Sequence, residues 1–220
     1  MARLVLYGSP HSLPAYKVAS PLSFSGLAFS FRDVSFQRGM HKNPEFLALS
    51  RWGLVPVLID GPRVMVQSSA TAEHIAESTD VFRSTDPARR QFDREWVFWE
   101  ADALFPRIFG CYGRYLGQSG SLPITMEPAI AAWHRRRAED ALGVLDAHLS
   151  ADGWLGGGES GLPDLLCHGD CIFAAMSGID LTGWPNLMAW SHKIRACRGL
   201  RMPLDLLPMA DTDIPAGGAS

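Results

Sequence analysis

The chain has no long hydrophobic run. Nothing in its 220 residues approaches the ~18 consecutive apolar residues that a membrane-spanning helix requires. The opening stretch Leu4-Val5-Leu6-Tyr7 is also far shorter than the about 7–15 apolar residues of a secretory leader. These absences argue against a membrane partner and lead to an expectation of a cytoplasmic protein. An excess of one charge is missing too. Net charge is −3, with residues 1–80 at +1 and residues 81–220 at −4, so neither half is basic enough to favour nucleic acid. The one dense basic cluster, Arg135-Arg136-Arg137, reads as a solvated helix face. Cysteines are few: Cys111, Cys167, Cys171 and Cys197, all in the second half. Their spacing does not make a disulfide framework. Cys167-x3-Cys171 around His168 is poorly spaced for zinc and lacks a second ligand pair, so no metal is expected and these residues read as one helix face in a core.

What the chain does have is core-forming material, with 47% apolar residues against 20% charged. That excludes a mostly disordered chain and allows one large or two small domains. Up to residue 80, short apolar runs alternate with helical patterns. Leu4–Tyr7 and the alternating Phe29–Val34 predict strands, as do Val55–Asp60 and Val64–Gln67 around the turn Asp60-Gly61-Pro62. Helices are predicted at residues 13–24, at Asn43–Leu49 and from Ser68 or Ser69 to about Glu77, with Pro21 a mild conflict inside the first. The order is β-α-β-α-β-β-α. Strands separated by helices imply parallel pairing, with the last hairpin adding an antiparallel edge.

Loop-like residues follow, and residues 81–90 are expected to be a linker. Helical periodicity then takes over. Phe92, Trp96, Trp99 and Ala103 form one stripe, and Ile130, Trp133, Arg137, Ala141, Leu145 and Leu149 nearly form another. Further helices are expected from about Leu162 and about Asn186. The expected organisation is an α/β domain over 1–80, an all-helical domain over 91–208 and a flexible tail over 209–220.

Four short segments suggest chemistry. Gly8-Ser9-Pro10-His11-Ser12 ends a strand and opens a helix, where backbone N–H groups and the helix dipole favour an anion or thiolate; Ser12 is either a contact for it or a simple N-cap. Gly53-Leu54-Val55-Pro56 enters a strand. With a cis proline it would leave the Val55 backbone free to pair with an extended peptide, and otherwise it is a plain turn. Gln67-Ser68-Ser69 offers a second helix N-terminus suited to a carboxylate, or just another cap. His41-Lys42 could clamp a second carboxylate, or be a solvated basic pair.

Taken in order, these segments resemble one family. Gly39-x-His41-Lys42-x-Pro44-Glu45-Phe46-Leu47-Ala48-Leu49, then Gly53-x-Val55-Pro56-Val57-Leu58-x-Asp60-Gly61, then Gln67-Ser68, are similar to the glutathione S-transferases, above all the phi class and related bacterial enzymes. Residues 88–208 match only as a helical pattern of the right length. The resemblance implies an α/β plus all-α fold, in which a thioredoxin-like β-α-β-α-β-β-α domain is followed by an all-helical domain. It also implies a homodimer, glutathione as co-substrate with no other cofactor, and a detoxifying transfer of the glutathione thiolate to a hydrophobic electrophile. By position, Ser12 aligns with the catalytic serine. His41 and Lys42 align near the glycine carboxylate, Val55 and Pro56 beside the cysteinyl backbone, and Gln67 and Ser68 at the γ-glutamyl end.

The resemblance also places an electrophile pocket between the domains, with Phe105, Phe109 and Tyr112 as its expected wall. A peroxidase, dehalogenase or isomerase on the same fold, or a non-catalytic glutathione-binding module, are the alternatives. The chain departs from the family pattern at several points. Serines stand at positions 9 and 12 where a redox relative carries cysteine, which argues against thiol–disulfide exchange and makes Ser9 the rival sulfur contact. Gln67 replaces the common glutamate, and Ser50-Arg51-Trp52 replaces an Asn-Pro-aromatic run. Asp164 reads as a helix-capping aspartate.

Overall fold

The computed structural model describes residues 4–82 and 84–216, without the side chains of 150–152. The first four strands and three helices follow the order read from the sequence: β1 (Leu4–Gly8), α1 (Leu13–Phe24), β2 (Phe29–Asp33), α2 (Pro44–Leu49), β3 (Val57–Asp60), β4 (Arg63–Val66) and α3 (Ser68–Thr79). The helical part comprises α4 (Pro87–Trp99), α5 (Phe105–Gln118), α6 (Pro128–Asp152), α7 (Leu162–Met176) and α8 (Pro185–Arg195). The chain closes with α9 (Pro203–Leu206) and β5 (Thr212–Ile214).

The sheet runs β4-β3-β1-β2-β5. β1 and β2 are parallel, joined by the α1 crossover, with Leu4 opposite Phe29 and Gly8 opposite Asp33. β3 is antiparallel to β1, which corrects the parallel pairing expected for every helix-separated strand. The six-residue α2 does not carry the chain back to the start of the sheet, so β3 re-enters from the end where β2 leaves. Leu6, Phe31, Val57 and Leu58 are buried, and α1 is buried along almost its whole length. Enclosure carries that helix through Pro21 to Phe24, with Ser25 N–H donating to the Pro21 carbonyl at 2.9 Å. Gly8 makes the close approach possible: a Cβ there would lie 3.0 Å from both Ala15 Cβ and the Phe31 ring.

Two compact units emerge, and their boundaries differ from those expected. The first contains residues up to Val81 together with those from Cys197 on, and the second runs from Phe82 to Ala196. α9 and β5 therefore belong with the sheet. The tail expected to be flexible contributes a strand, with Phe29 opposite Ile214 and Phe31 opposite Thr212. The linker is also shorter than expected, because Asp86 caps α4 by accepting from Ala88 N–H at 3.0 Å and Pro87 occupies the first turn.

In the second unit, α4 and α5 are joined by a π-helical segment, Glu100–Leu104. α7 is buried from Leu162 to Ala174. Asp164 holds its start: Oδ2 accepts from Gly161 N–H (2.8 Å), and Oδ1 accepts from Leu155 N–H (2.9 Å) and Trp190 Nε1–H (2.7 Å). Burial raises its pKa against these bonds, which lower it. The apolar stripe of α6 is corrected. Ala131, Ala138, Leu142, Leu145 and Leu149 face inward, whereas Ile130 and Trp133 are about half exposed, with the Arg137 guanidinium 5.1 Å from the Trp133 ring. Each four-residue step overshoots one turn by ~40°, so a chain of such steps drifts off a single face.

Candidate functional site

The pairing register brings the four motif segments to one end of the sheet. Tyr7 on β1 lies opposite Val57 on β3, and Val57 lies opposite Val66 on β4, so these residues form one row. The chain leaves β1 just past this row into Ser9–Ser12. It enters β3 just before it through Val55-Pro56, and leaves β4 just after it into Gln67-Ser68. β2 is parallel to β1 and ends beside Gly8, so the segment carrying His41 and Lys42 starts from the same end.

Ser12 is the N-cap of α1. Its Oγ accepts from Ala15 N–H at 3.1 Å, and its own N–H donates to the Ser9 carbonyl at 2.9 Å. Both serines are 9% exposed. One lone pair of the Ser12 oxygen is thus committed to the helix, while its O–H can still donate. Lys17, one turn further along α1, is 2% exposed. Sequence reasoning missed it; the available signal was a lone cation in a helix otherwise made of apolar residues, tyrosine and serine.

Val55-Pro56 is a cis peptide bond, and the ladder of β3 begins only at Val57, which leaves Val55 outside it. The loop before it is pinned by buried Ser50, whose Oγ donates to the Leu54 carbonyl (2.8 Å) and accepts from Leu54 N–H (3.1 Å). This is a structural role for the serine that departs from the family pattern. Gly53 has φ +62, and a Cβ there would stand 3.2 Å from the His41 carbonyl oxygen, so this loop abuts the His41 segment. His41 and Lys42 lie in a short 3-10 turn, Met40–Lys42. The His41 ring stacks on Phe36 at 4.5 Å, with Nδ1 buried and without a hydrogen-bond partner; Lys42 is exposed.

Gln67 has φ 77 and ψ 111, outside the usual range for a residue with a side chain. Its carbonyl accepts from Thr71 N–H (2.9 Å) and Thr71 Oγ1–H (2.8 Å), which locks the entry to α3. The Gln67 side chain makes no cap bond and is exposed, beside the first backbone N–H groups of α3 at Ser68.

The residues expected to line the electrophile pocket lie on α5. Phe105 and Phe109 pair at 5.4 Å on α5, and Phe109 is about half exposed. Tyr112 is corrected to a core residue of the second unit. It is fully buried, edge-on to Phe173 at 4.8 Å, and burial and neighbouring Tyr115 push its pKa up to about 12. Helix spacing alone does not distinguish the inward from the outward side of α5. Cys167, His168 and Cys171 are all buried, and burial raises both thiol pKa values. No group of three or more potential metal ligands occurs among the described residues. No helix among them is long and apolar enough to cross a membrane.

Comparison with known proteins gives a consistent result. The family model for "Glutathione S-transferase, N-terminal domain" matches residues 2–77. Glutathione S-transferase 3 of Zea mays is 33% identical over 95% of this chain and 96% of its own length. The disulfide-bond oxidoreductase YfcG of Escherichia coli is 25% identical over 82% of this chain and 85% of its own. Among solved structures, a glutathione S-transferase from Xanthobacter autotrophicus superposes with a TM-score of 0.81 at 28% identity, covering 93% of this chain and 97% of that one.

Proposed function

Since the chain belongs to the glutathione S-transferase family, we propose that it transfers the glutathione thiolate to hydrophobic electrophiles, as a homodimer of detoxifying type, with Ser12 stabilising the thiolate. The observation that carries this reading is the state of the Ser12 hydroxyl: buried, fixed at a helix N-terminus by Ala15 N–H, and still able to donate. A thiol of pKa ~8.5 is only about 3% ionised at pH 7, and lowering it by ~2 units makes about three quarters of it thiolate. That shift corresponds to about 2.7 kcal/mol. One hydrogen bond to a charged group (about 1.5–3 kcal/mol) together with a helix N-terminus (about 0.3–2 kcal/mol) covers it.

The rest of the site suits the remainder of the tripeptide. Lys42 and His41 offer cationic and donor groups to the glycine carboxylate. The Val55 backbone, outside the β3 ladder, offers an N–H and a carbonyl to the cysteinyl residue next to Pro56. Gln67 and Ser68 hold the γ-glutamyl end at the start of α3. The thiolate sulfur attacks an electrophilic carbon, a C–S bond forms, and the leaving group departs with its electron pair. Phe105 and Phe109 are retained as candidates for the electrophile wall; Tyr112 is not. Serine at both positions 9 and 12 favours this conjugation over exchange through an enzyme thiol.

Retention on immobilised glutathione, followed by a conjugation assay with an aryl halide, tests the reading. Binding with turnover is expected. Retention without turnover across a panel of electrophiles would indicate a binding module, and failure to bind glutathione would overturn both.

A further inference from the structure

The first unit contains a cavity of about 610 Å³ that none of Ser12, His41, Lys42, Val55, Pro56, Gln67 or Ser68 lines. Its apolar part comes from Tyr7, Phe46 and Leu49, which pack on the Val34–Phe46–Val57 core, and Met209 from the C-terminal segment adds to it. Asp33 stands in its wall at the end of β2, fixed there because its backbone N–H donates to Asp211 Oδ1 at 2.9 Å. The Asp33 carboxylate is poorly satisfied. Among the described residues Oδ1 is buried with no hydrogen-bond partner, and Oδ2 lies 3.7 Å from the Arg38 guanidinium. The Arg38 side chain is 70% exposed, against 15% for Asp33, so that pairing is solvent-screened and weak.

Arg32, the other cation of the wall, is engaged elsewhere. It donates to the Phe31 carbonyl at 2.9 Å and lies 3.8 Å from Asp211 and 3.9 Å from Asp213. Burial is the main cause holding the Asp33 pKa above its ordinary value; Asp211 adds to the rise, while Arg38 and His11 oppose it. A carboxylate so placed favours a strong N–H donor. Asp211 and Glu45 also line it, so three carboxylates face two guanidiniums, and an anionic guest would be disfavoured.

We propose that this cavity binds small primary amines carried on an apolar, aromatic body, with the Asp33 carboxylate anchoring the ammonium group. Met40 and Asn43 in the cavity wall flank the His41-Lys42 pair, so the cavity borders the segment proposed for the glycine carboxylate, although none of the proposed glutathione contacts lines it. Calorimetric titration of the full chain with phenethylamine tests this, using phenylacetate as the probe of opposite charge, with and without saturating glutathione. Saturable amine binding is expected, with phenylacetate at least about tenfold weaker and glutathione changing the amine affinity by less than about twofold. Asp33→Asn, confirmed folded by circular dichroism, should weaken the amine by about tenfold or more, and Arg38→Ala, which removes an exposed competitor, should tighten it. No amine binding, equal binding of phenylacetate, displacement by glutathione, or an unchanged affinity in either variant would overturn the proposal. Should Asp33→Asn fail to fold, Arg38→Ala and the phenylacetate comparison decide.

Discussion

Ser12 has two tasks for one oxygen. It caps α1 by accepting from Ala15 N–H, and in the proposed reaction it donates to sulfur. The two are separable by experiment. Ser12→Ala should lower conjugation turnover by about 10–100-fold, the equivalent of one lost charge-assisted hydrogen bond, while glutathione affinity changes far less. Loss of the cap should also lower stability by about 1 kcal/mol in urea denaturation. Ser9→Ala should keep turnover within about threefold; the opposite pattern would move the sulfur contact to Ser9. The cap was legible in the sequence because capping is a local preference. The burial of Lys17 was not, because only tertiary packing encloses it.

His168 gives a prediction of another kind. Burial, with a smaller contribution from Arg195, lowers its pKa to about 3, and its Nε2 lies 3.1 Å from Ser191 Oγ. The unfolded chain takes up this proton near 6.5, the folded chain only near 3. Between those values the unfolded state binds more protons, so the stability due to neutral His168 is complete above the upper value and declines on acidification. The urea midpoint should therefore fall from about pH 7 to about pH 4.5, and His168→Asn should flatten that slope.

At the scale of elements, the sequence revealed which segments are strands and helices more readily than how they pair. The periodicity of Leu4–Tyr7 and Phe29–Val34 is local, whereas the antiparallel sense of β3 depends on where α2 delivers the chain. β5 is three residues long, too short to show an alternating pattern, and its partner lies far back in the chain. Its ladder on β2 is reinforced by Ser30 Oγ–H donating to Asp213 Oδ1 at 2.7 Å and Asp33 N–H donating to Asp211 Oδ1 at 2.9 Å. Deleting residues 209–220 should therefore lower stability by about 1–3 kcal/mol, read as a shift of the urea midpoint. A loosely attached tail would leave the midpoint unchanged.

At the scale of the whole molecule, the family was legible from a few dense stretches, and the fold followed from it. The division into units was not, because the segment from Cys197 on returns to the sheet, and no local pattern separates it from the helical region expected to run to 208 or from the tail expected beyond it. The segments proposed to hold glutathione at Ser12, Val55-Pro56 and Gln67-Ser68 adjoin strand ends that the register brings to one end of the sheet, and turn and capping residues at strand ends carry local sequence signals. On α5, Tyr112 is buried and Phe109 about half exposed, a difference that helix spacing alone does not reveal. The account rests on the ionisation of a bound sulfur, and the most direct test is to titrate the thiol of glutathione in the complex by the ultraviolet absorbance of its thiolate. The thiol should ionise about two units below its free value of ~8.5 and return most of the way in Ser12→Ala. Ionisation at the same pH as in plain buffer would contradict the account.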